Sequence, residues 1–261
     1  MTRILSAAVL APLVLLAIYF GGYWFAALIV LAAGLMGWEW ARMCNGGQLG
    51  WPGVLAIAAL VVPTAAFHLA IPSIAIPAVL LSGAVLSAAV ARVRSKRPDA
   101  FYFLLFGTIY IGAGCLAILW LRTAPAAGRE VVFWLLAVVW ATDIGAYFAG
   151  RGIGGPKLAP KISPNKTWAG LIGGMVCAAL VGVGAARFLG GETTFLAVAG
   201  LALAVIAQAG DFLESWCKRH FGVKDSSHII PGHGGILDRV DGLLAVLPVA
   251  FLYLWAVKGS I

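Results

Sequence analysis

The sequence predicts an all-α, polytopic membrane protein, and three observations lead there. Of its 261 residues, 62% are apolar and 11% charged, against about 45–50% and about 25% in a soluble domain. Mean hydropathy is +0.99. The apolar residues fall into runs near the ~20 residues that a spanning helix needs. A water-soluble globular domain is excluded, and so is a disordered chain, which would be polar and highly charged.

Nine such runs are expected as transmembrane helices, at about 4–20, 23–43, 52–70, 71–91, 101–121, 130–149, 168–188, 194–213 and 243–258. Gly21-Gly22, Asn45-Gly46-Gly47, Pro72-Ser73, the basic run Arg92 to Pro98, and Pro125 to Gly128 separate the first six. Pro63, Pro72 and Pro77 interrupt the third and fourth, which leaves a re-entrant hairpin as the alternative there. Arg3 followed by apolar residues has the outline of a signal peptide. No A-x-A site follows, and the stretch runs into a second apolar segment, so it is read as a helix. Cys44, Cys115, Cys177 and Cys217 are far apart with no CxxC pair, and read as small buried hydrophobes. His68, in an apolar stretch, reads as a packing residue. Residues 1–128 are expected to supply about five scaffold helices that give lipid access. Residues 129–261 are expected to carry two catalytic loops, 150–167 and 214–242.

Positive charge sets the expected orientation. Arg3, Arg42, the cluster Arg92 to Arg97, and the basic residues of the loops after the sixth and eighth spans all lie on one side. Arg122, Arg129, Arg187 and Lys258 lie on the other. The richer side is read as cytoplasmic, with the N-terminus inside and the C-terminus outside. A net charge of +8 concentrated on one membrane face points to anionic lipid heads and phosphorylated substrates, not to nucleic acid. In the seventh span Gly170, Gly174, Ala178, Gly182 and Ala186 repeat every four residues. Such a stripe lets a neighbouring helix approach closely. It reads as packing within the chain, with a homodimer seam as the alternative.

The first 128 residues hold two acids, Glu39 and Asp99, and the remainder holds eight. An ionisable residue inside a span is a functional candidate because burying it unpaired costs several kcal/mol. Asp143 and Asp211 meet that description. Gln208, Asp211, Ser215 and Lys218 share a face if their helix continues. After Lys224-Asp225-Ser226 and the turn Pro231-Gly232-His233-Gly234-Gly235, Asp238 and Asp241 open the ninth helix on one face, where the helix dipole favours carboxylates. Asp211, Asp238 and Asp241 are oxygen ligands without His or Cys partners, and suit a hard cation such as Mg²⁺ better than zinc. The loop from Gly150 to Trp168 carries Arg151, Lys157, Lys161 and Lys166, the hydroxyls of Ser163 and Thr167, and no acid. Its G-x-G-x-x-G match follows a membrane helix, not a strand, and no GxxxxGK[ST] run is present. It reads as a flexible, cationic loop suited to phosphates. Two crossings separate the loops, so both emerge on one side, as phosphoryl or nucleotidyl transfer requires.

The run Ser215-Trp216-Cys217-Lys218-Arg219 through Lys224-Asp225, with His233-Gly234-Gly235-Ile236-Leu237-Asp238-Arg239-Val240-Asp241, resembles the signature of phosphatidate cytidylyltransferases, the CDP-diacylglycerol synthases. Asp143 to Tyr147 and Lys161 to Thr167 are similar to the same family, so the likeness covers about residues 140–245. The resemblance implies a Mg²⁺-dependent reaction in which CTP and phosphatidic acid from the bilayer give CDP-diacylglycerol and pyrophosphate, for phospholipid biosynthesis. It also implies a multi-pass protein of the cell (inner) membrane with its active site toward the cytoplasm. Family metal ligands fall on Asp211 and Asp238, and a second cation is left open. Asp241 and Asp225 would support that site, with Lys218, Arg219, Lys224 and His233 as further catalytic candidates. Asp143, Lys161, Ser163, Asn165, Lys166, Thr167, Ser215 and Arg239 would bind substrate. His233 has two readings, a donor to pyrophosphate or a residue that pins its turn, and His220 and His228 have no assigned role. Ala169 stands where the family often has Glu, and Ser227-His228 where Gly is more usual. The second departure is expected to stiffen the turn.

A phosphate monoester has a second pKa near ~6, so the lipid is already an ionised nucleophile at neutral pH and needs no general base. A CDP-alcohol phosphotransferase shares only Asp241-Gly242 and Ala245 of its motif. A lipid kinase would take the terminal phosphoryl group instead. An ion-coupled transporter would use Asp143 and Asp211 as coupling carboxylates, but no repeat is visible.

Overall fold

The computed structural model describes residues 2–67, 75–123 and 126–258, with side chains from residue 8 onward. Among these residues nine helices run in order: α1 (Thr2–Phe20), α2 (Gly22–Cys44), α3 (Gly50–Ala66), α4 (Ala75–Arg94), α5 (Ala100–Thr123), α6 (Gly128–Gly152), α7 (Trp168–Leu189), α8 (Thr193–His220) and α9 (Leu237–Lys258). Between α6 and α7 lies a hairpin of β1 (Lys157–Ala159) and β2 (Ser163–Thr167). Seven helices are long and apolar enough to cross a membrane, while α3 and the apolar part of α1 are shorter. The chain is a multi-pass membrane protein.

Each expected span coincides with one helix, but the boundaries move. α6 runs through Gly152, α8 through His220, and α9 already starts at Leu237. The two loops are therefore 153–167 and 221–236, shorter than the apolar runs imply. Helical hydrogen bonding does not stop where hydropathy falls, and the last turns of α8 are stabilised by the Glu214–Lys218 ion pair at i, i+4. The expected break at Pro72 and the packing residue His68 lie outside the described residues. The basic loop, expected to be flexible, contains an ordered antiparallel hairpin that pairs Lys157 with Thr167 and Ala159 with Ser163. Trp168 N–H donates to Pro156 O at 3.1 Å and closes it. Positive φ at Gly154 (71°) and Gly155 (92°) allows the chain to turn into β1.

The helices group into two compact units, Met1–Trp120 with His220–Val240, and Leu121–Arg219 with Asp241–Ile261. Residues 220–240, late in the sequence, thus belong to the unit built from α1 to α5. In that unit buried Trp40 of α2 donates its indole N–H to Phe103 O of α5 at 2.8 Å. Gly107 makes room for the ring, since a Cβ there would strike the indole. Ser87 of α4 donates to Pro52 O of α3 at 2.8 Å.

The second unit is organised by the small-residue stripe of α7. Gly170, Gly174, Ala178 and Gly182 are buried. An added Cβ would lie 2.9 Å from Ala146 O at Gly170 and 2.8 Å from Thr142 O at Gly174, so α7 runs backbone to backbone along α6. Further along, Gly182 packs on Leu196 O and Gly200 on Ala178 O, which brings in α8. The stripe is therefore used for packing within the chain, as expected. Interior glycine costs up to ~1 kcal/mol in helix propensity, and the close approach offsets it. The opposite side of α7 carries exposed Ile172, Val176, Leu180 and Phe188, the composition of a lipid-facing surface. Replacing Gly174 by Leu should lower stability by about 1–3 kcal/mol through overpacking. A thermal melt of the purified protein in detergent should show it, while Val176→Leu on the exposed side should leave the melt unchanged.

Candidate active site

In the second unit the chemistry gathers where α8 and α9 approach. A Cβ on Gly210 would lie 2.6 Å from Ala245 Cβ and 2.7 Å from Asp241 O, and one on Gly242 would lie 3.2 Å from Ala207 O. Bare backbone at these two glycines lets the helices touch, so their neighbours in sequence, Asp211 and Asp241, interact electrostatically. Asp143 of α6 and Lys166 of β2 act on the same carboxylate of Asp241. Lys166 forms an ion pair with Asp211 Oδ2, and its ammonium lies 4.7 Å from the centre of the Phe212 ring. The Ser215 hydroxyl donates to Asp211 Oδ1 at 3.2 Å. Gly242 N–H donates to Asp241 Oδ1 at 2.8 Å. The hairpin thus delivers one cation to a set of three carboxylates, and Thr167, next in sequence, caps α7 by accepting Gly170 N–H at 3.1 Å.

In the first unit the loop 221–236 is held at both ends. At its start His220 Nε2 lies 2.6 Å from Asp99 Oδ2. The His220 ring stacks on Phe103 at 4.6 Å, and Phe221 meets Phe103 edge-on at 4.8 Å. Arg97 sits over Phe221 and pairs with Asp99 at 3.2 Å. The hydrogen bond from His220 is the main cause that holds the Asp99 carboxyl below its usual range, with Arg97 adding to it. At the far end Asp238, in the first turn of α9, accepts Ser226 N–H and Ser226 Oγ–H, each at 2.9 Å, and Gly235 N–H at 2.8 Å, all on Oδ2. These donors fix the orientation of the carboxylate. Gly234 has φ 81°, and a Cβ on it would lie 2.7 Å from Asp238 Oδ2, so both its backbone conformation and the close approach favour glycine.

Glu39 was not expected in this region. It lies in α2, is 0% exposed, and accepts hydrogen bonds from Ser227 Oγ at 2.6 Å, Ser226 Oγ at 3.3 Å, Ile236 N at 2.8 Å and Leu237 N at 2.9 Å. The signal was present, because an acid within an apolar span calls for a partner. The partners lie far along the chain and nothing local points to them. Ser227, where the chain departs from the resembled signature, uses its hydroxyl on Glu39 and also accepts Ile229 N–H at 3.3 Å.

The remaining expected residues take varied places. Lys224, Asp225, His228, His233 and Arg239 line a cavity of about 480 Å³ in the first unit. Its cations suit phosphate oxygens. The turn at His233 is pinned by main chain: its N–H donates to Ile230 O at 2.9 Å, and its carbonyl accepts Arg239 Nε–H at 2.8 Å. Lys218 is buried in α8 and pairs with Glu214 at 2.6 Å, so its charge is matched inside the helix. Ser163 pairs in the hairpin, whereas Lys161, Asn165 and Arg219 are exposed. Asp211 belongs to the second unit and Asp238 to the first.

Among the described residues no group of three or more His, Cys, Asp or Glu side chains is placed to hold a metal ion. The donor chemistry fits a hard divalent cation all the same. Asp211, paired with Lys166, and Asp241, on which Asp211, Asp143 and Lys166 all act, supply carboxylate oxygens, the donor type that such a cation prefers.

Carboxylates beside a lysine of a basic hairpin in the second unit, and a cavity lined by Lys, Arg and His in the first, are groups of the kind that phosphate chemistry uses. The model of the cytidylyltransferase family matches residues 1–257. Similar relatives are the phosphatidate cytidylyltransferases of Brucella suis biovar 1 (strain 1330), 39% identical over 97% of this chain and 92% of the relative, and of Pseudomonas aeruginosa, 34% identical over 97% and 96%. That of Bacillus subtilis (strain 168) is 43% identical over 59% and 58%. The chain belongs to the cytidylyltransferase family, and it is an enzyme, a nucleotidyltransferase.

The Asp99 cluster gives a pH prediction. A depressed folded pKa contributes stability that is present above the carboxylate range and lost as pH falls through it. Asp99→Asn should melt below the parent at about pH 5 and above, and the gap should close as pH drops below about 4. Differential scanning fluorimetry across that range tests it.

Proposed function

We propose that the enzyme transfers the cytidylyl group of CTP to phosphatidic acid, giving CDP-diacylglycerol and pyrophosphate, with Mg²⁺, at the cytoplasmic side of the cell (inner) membrane. The observation that carries the reading is the electrostatic meeting of Asp143, Asp211 and Lys166 on Asp241, with Lys166 paired to Asp211, in a chain that matches the family along residues 1–257. An oxygen of the lipid phosphate attacks the α-phosphorus of CTP, a new P–O bond forms, the bond to the β-phosphate bridging oxygen breaks, and pyrophosphate leaves with that electron pair. The lipid phosphate is already ionised, so the protein's task is to bring two polyanions together and orient them.

Asp211 and Asp238 are each proposed as a Mg²⁺ ligand, Asp211 in the second unit with Asp241 and Asp143, and Asp238 in the first unit, where Asp225 lines the basic cavity. A bound ion would neutralise charge on the phosphates in the transition state. Lys224, Arg239 and His233, which line that cavity, hold phosphate oxygens of the nucleotide. Lys166 keeps Asp211 oriented, and its ammonium would also suit a phosphate oxygen of the substrate. Lys161, Asn165 and Arg219, all exposed, meet substrate from outside.

Purified protein incubated with phosphatidic acid, CTP labelled at the α-phosphate, and Mg²⁺ should pass label into lipid and stop when EDTA is added. Label entering lipid from γ-labelled CTP in a parallel incubation, and not from the α-labelled nucleotide, would identify a lipid kinase and overturn the reading. Asp211→Asn and Asp238→Asn should each lower kcat by on the order of 10²–10³, because several kcal/mol of charge stabilisation depend on the ion. Near-parental turnover in either would remove that residue from the ligand set.

A further inference from the structure

Glu39 is a carboxylate without solvent contact in an apolar helix, and it accepts from four neutral donors: two serine hydroxyls and two backbone N–H groups. Their placement is specific. Ile236 N–H and Leu237 N–H belong to the start of α9, where the helix dipole adds to the attraction for an anion. Ser227 fixes the loop just before its turn. Ser226 Oγ lies within reach of both Glu39 Oε2 and Asp238 Oδ2, at 3.3 and 2.9 Å. One hydroxyl proton is therefore shared by two carboxylates. Gly235 completes the arrangement, since a Cβ there would strike both Ser226 Oγ and Glu39 Oε1.

We infer that Glu39 is a positioning residue for the reaction. Through Ser226 and the first N–H groups of α9 it sets the orientation of the Asp238 carboxylate. The inference rests on the proposed use of Asp238. The geometry predicts a definite chemical sensitivity. Glu39 Oε1 accepts from Ser227 Oγ and Ile236 N, and Oε2 from Ser226 Oγ and Leu237 N. Glutamine cannot replace it, because whichever way the amide is turned its NH₂ group opposes a backbone N–H. Losing a partner that orients a ligating group costs about 10–100-fold in metal affinity or activity.

The test compares the parent with Glu39→Gln, Ser226→Ala and Asp238→Asn, each purified in detergent and checked for a monodisperse peak. Turnover of CTP and phosphatidic acid gives kcat and KM, and Mn²⁺ titration followed by electron paramagnetic resonance gives a Kd that does not depend on turnover. Glu39→Gln should lower kcat and raise the Mn²⁺ Kd about 10–100-fold, with both KM values within about threefold of the parent. Ser226→Ala should move both quantities the same way by about tenfold, and it decides the matter should Glu39→Gln fail to fold. If Asp238→Asn is impaired while the other two keep parental kcat and Kd, Glu39 has only a structural role and the inference falls, while Asp238 keeps its place in the reaction. If Asp238→Asn itself is parental, the reading of Asp238 fails, and the inference with it.

Discussion

A carboxylate inside an apolar helix is tolerable only when its oxygens are satisfied, and that constraint on Glu39 shapes much of the first unit. An unpaired ion there would cost several kcal/mol. The chain meets the demand with Ser226, Ser227 and the N–H groups of Ile236 and Leu237, all from a segment far along the sequence. Folding α2 with its acid therefore requires that segment to be in place. In turn the segment receives a fixed conformation around Asp238. The N-terminal helices thus do more than fill the bilayer, because they hold the loop that bears a candidate ligand.

The same economy governs the other charges. Asp99 is matched by His220 and Arg97, Glu130 by Arg129, Glu214 by Lys218, and Asp211 by Lys166. The Asp99 and Glu130 pairs are partly exposed and contribute little to stability, whereas the Glu214–Lys218 pair is buried and matched within α8. The set of Asp143, Asp211 and Asp241 is different. Besides the pair of Asp211 with Lys166, it sets the like charges of Asp211 and Asp143 against Asp241, an arrangement that costs stability. Sites that work against local stability are where function is expected.

The nine helices were legible because the requirement of ~20 apolar residues is severe, and the stripe on α7 because its four-residue step is unusual. The aspartates were legible because so few acids occur. The polar ends of α8 and α9 were not, since hydropathy falls before hydrogen bonding does. Nor was the hairpin, whose Pro160 and Pro164 argue against strands in a sequence reading. The role of Glu39 was hidden for another reason. A lone acid in an apolar run announces that a partner exists, but nothing in the run says where, and both serines sit in a loop read for its charges and not its hydroxyls. Lys218 shows the converse: its place in a signature suggested contact with substrate, while the structure matches it to Glu214.

The glycines around Asp238 show why such a loop tolerates little substitution even though much of it is exposed. Gly234 turns with φ 81° directly against the carboxylate, and Gly235 lies where three groups meet: the Ser226 hydroxyl, Glu39 and the start of α9. A side chain at either place would have to displace an anion held by several donors, not a flexible neighbour. Ser227 fits the same account. Where glycine would leave the turn looser, its hydroxyl adds a bond to Glu39 at 2.6 Å, so the departure from the resembled signature strengthens the contact that orients Asp238. Rigidity at this point would serve the proposed reaction, because joining two polyanions depends on charge fixed in advance and not on groups that must reorganise as the bond forms.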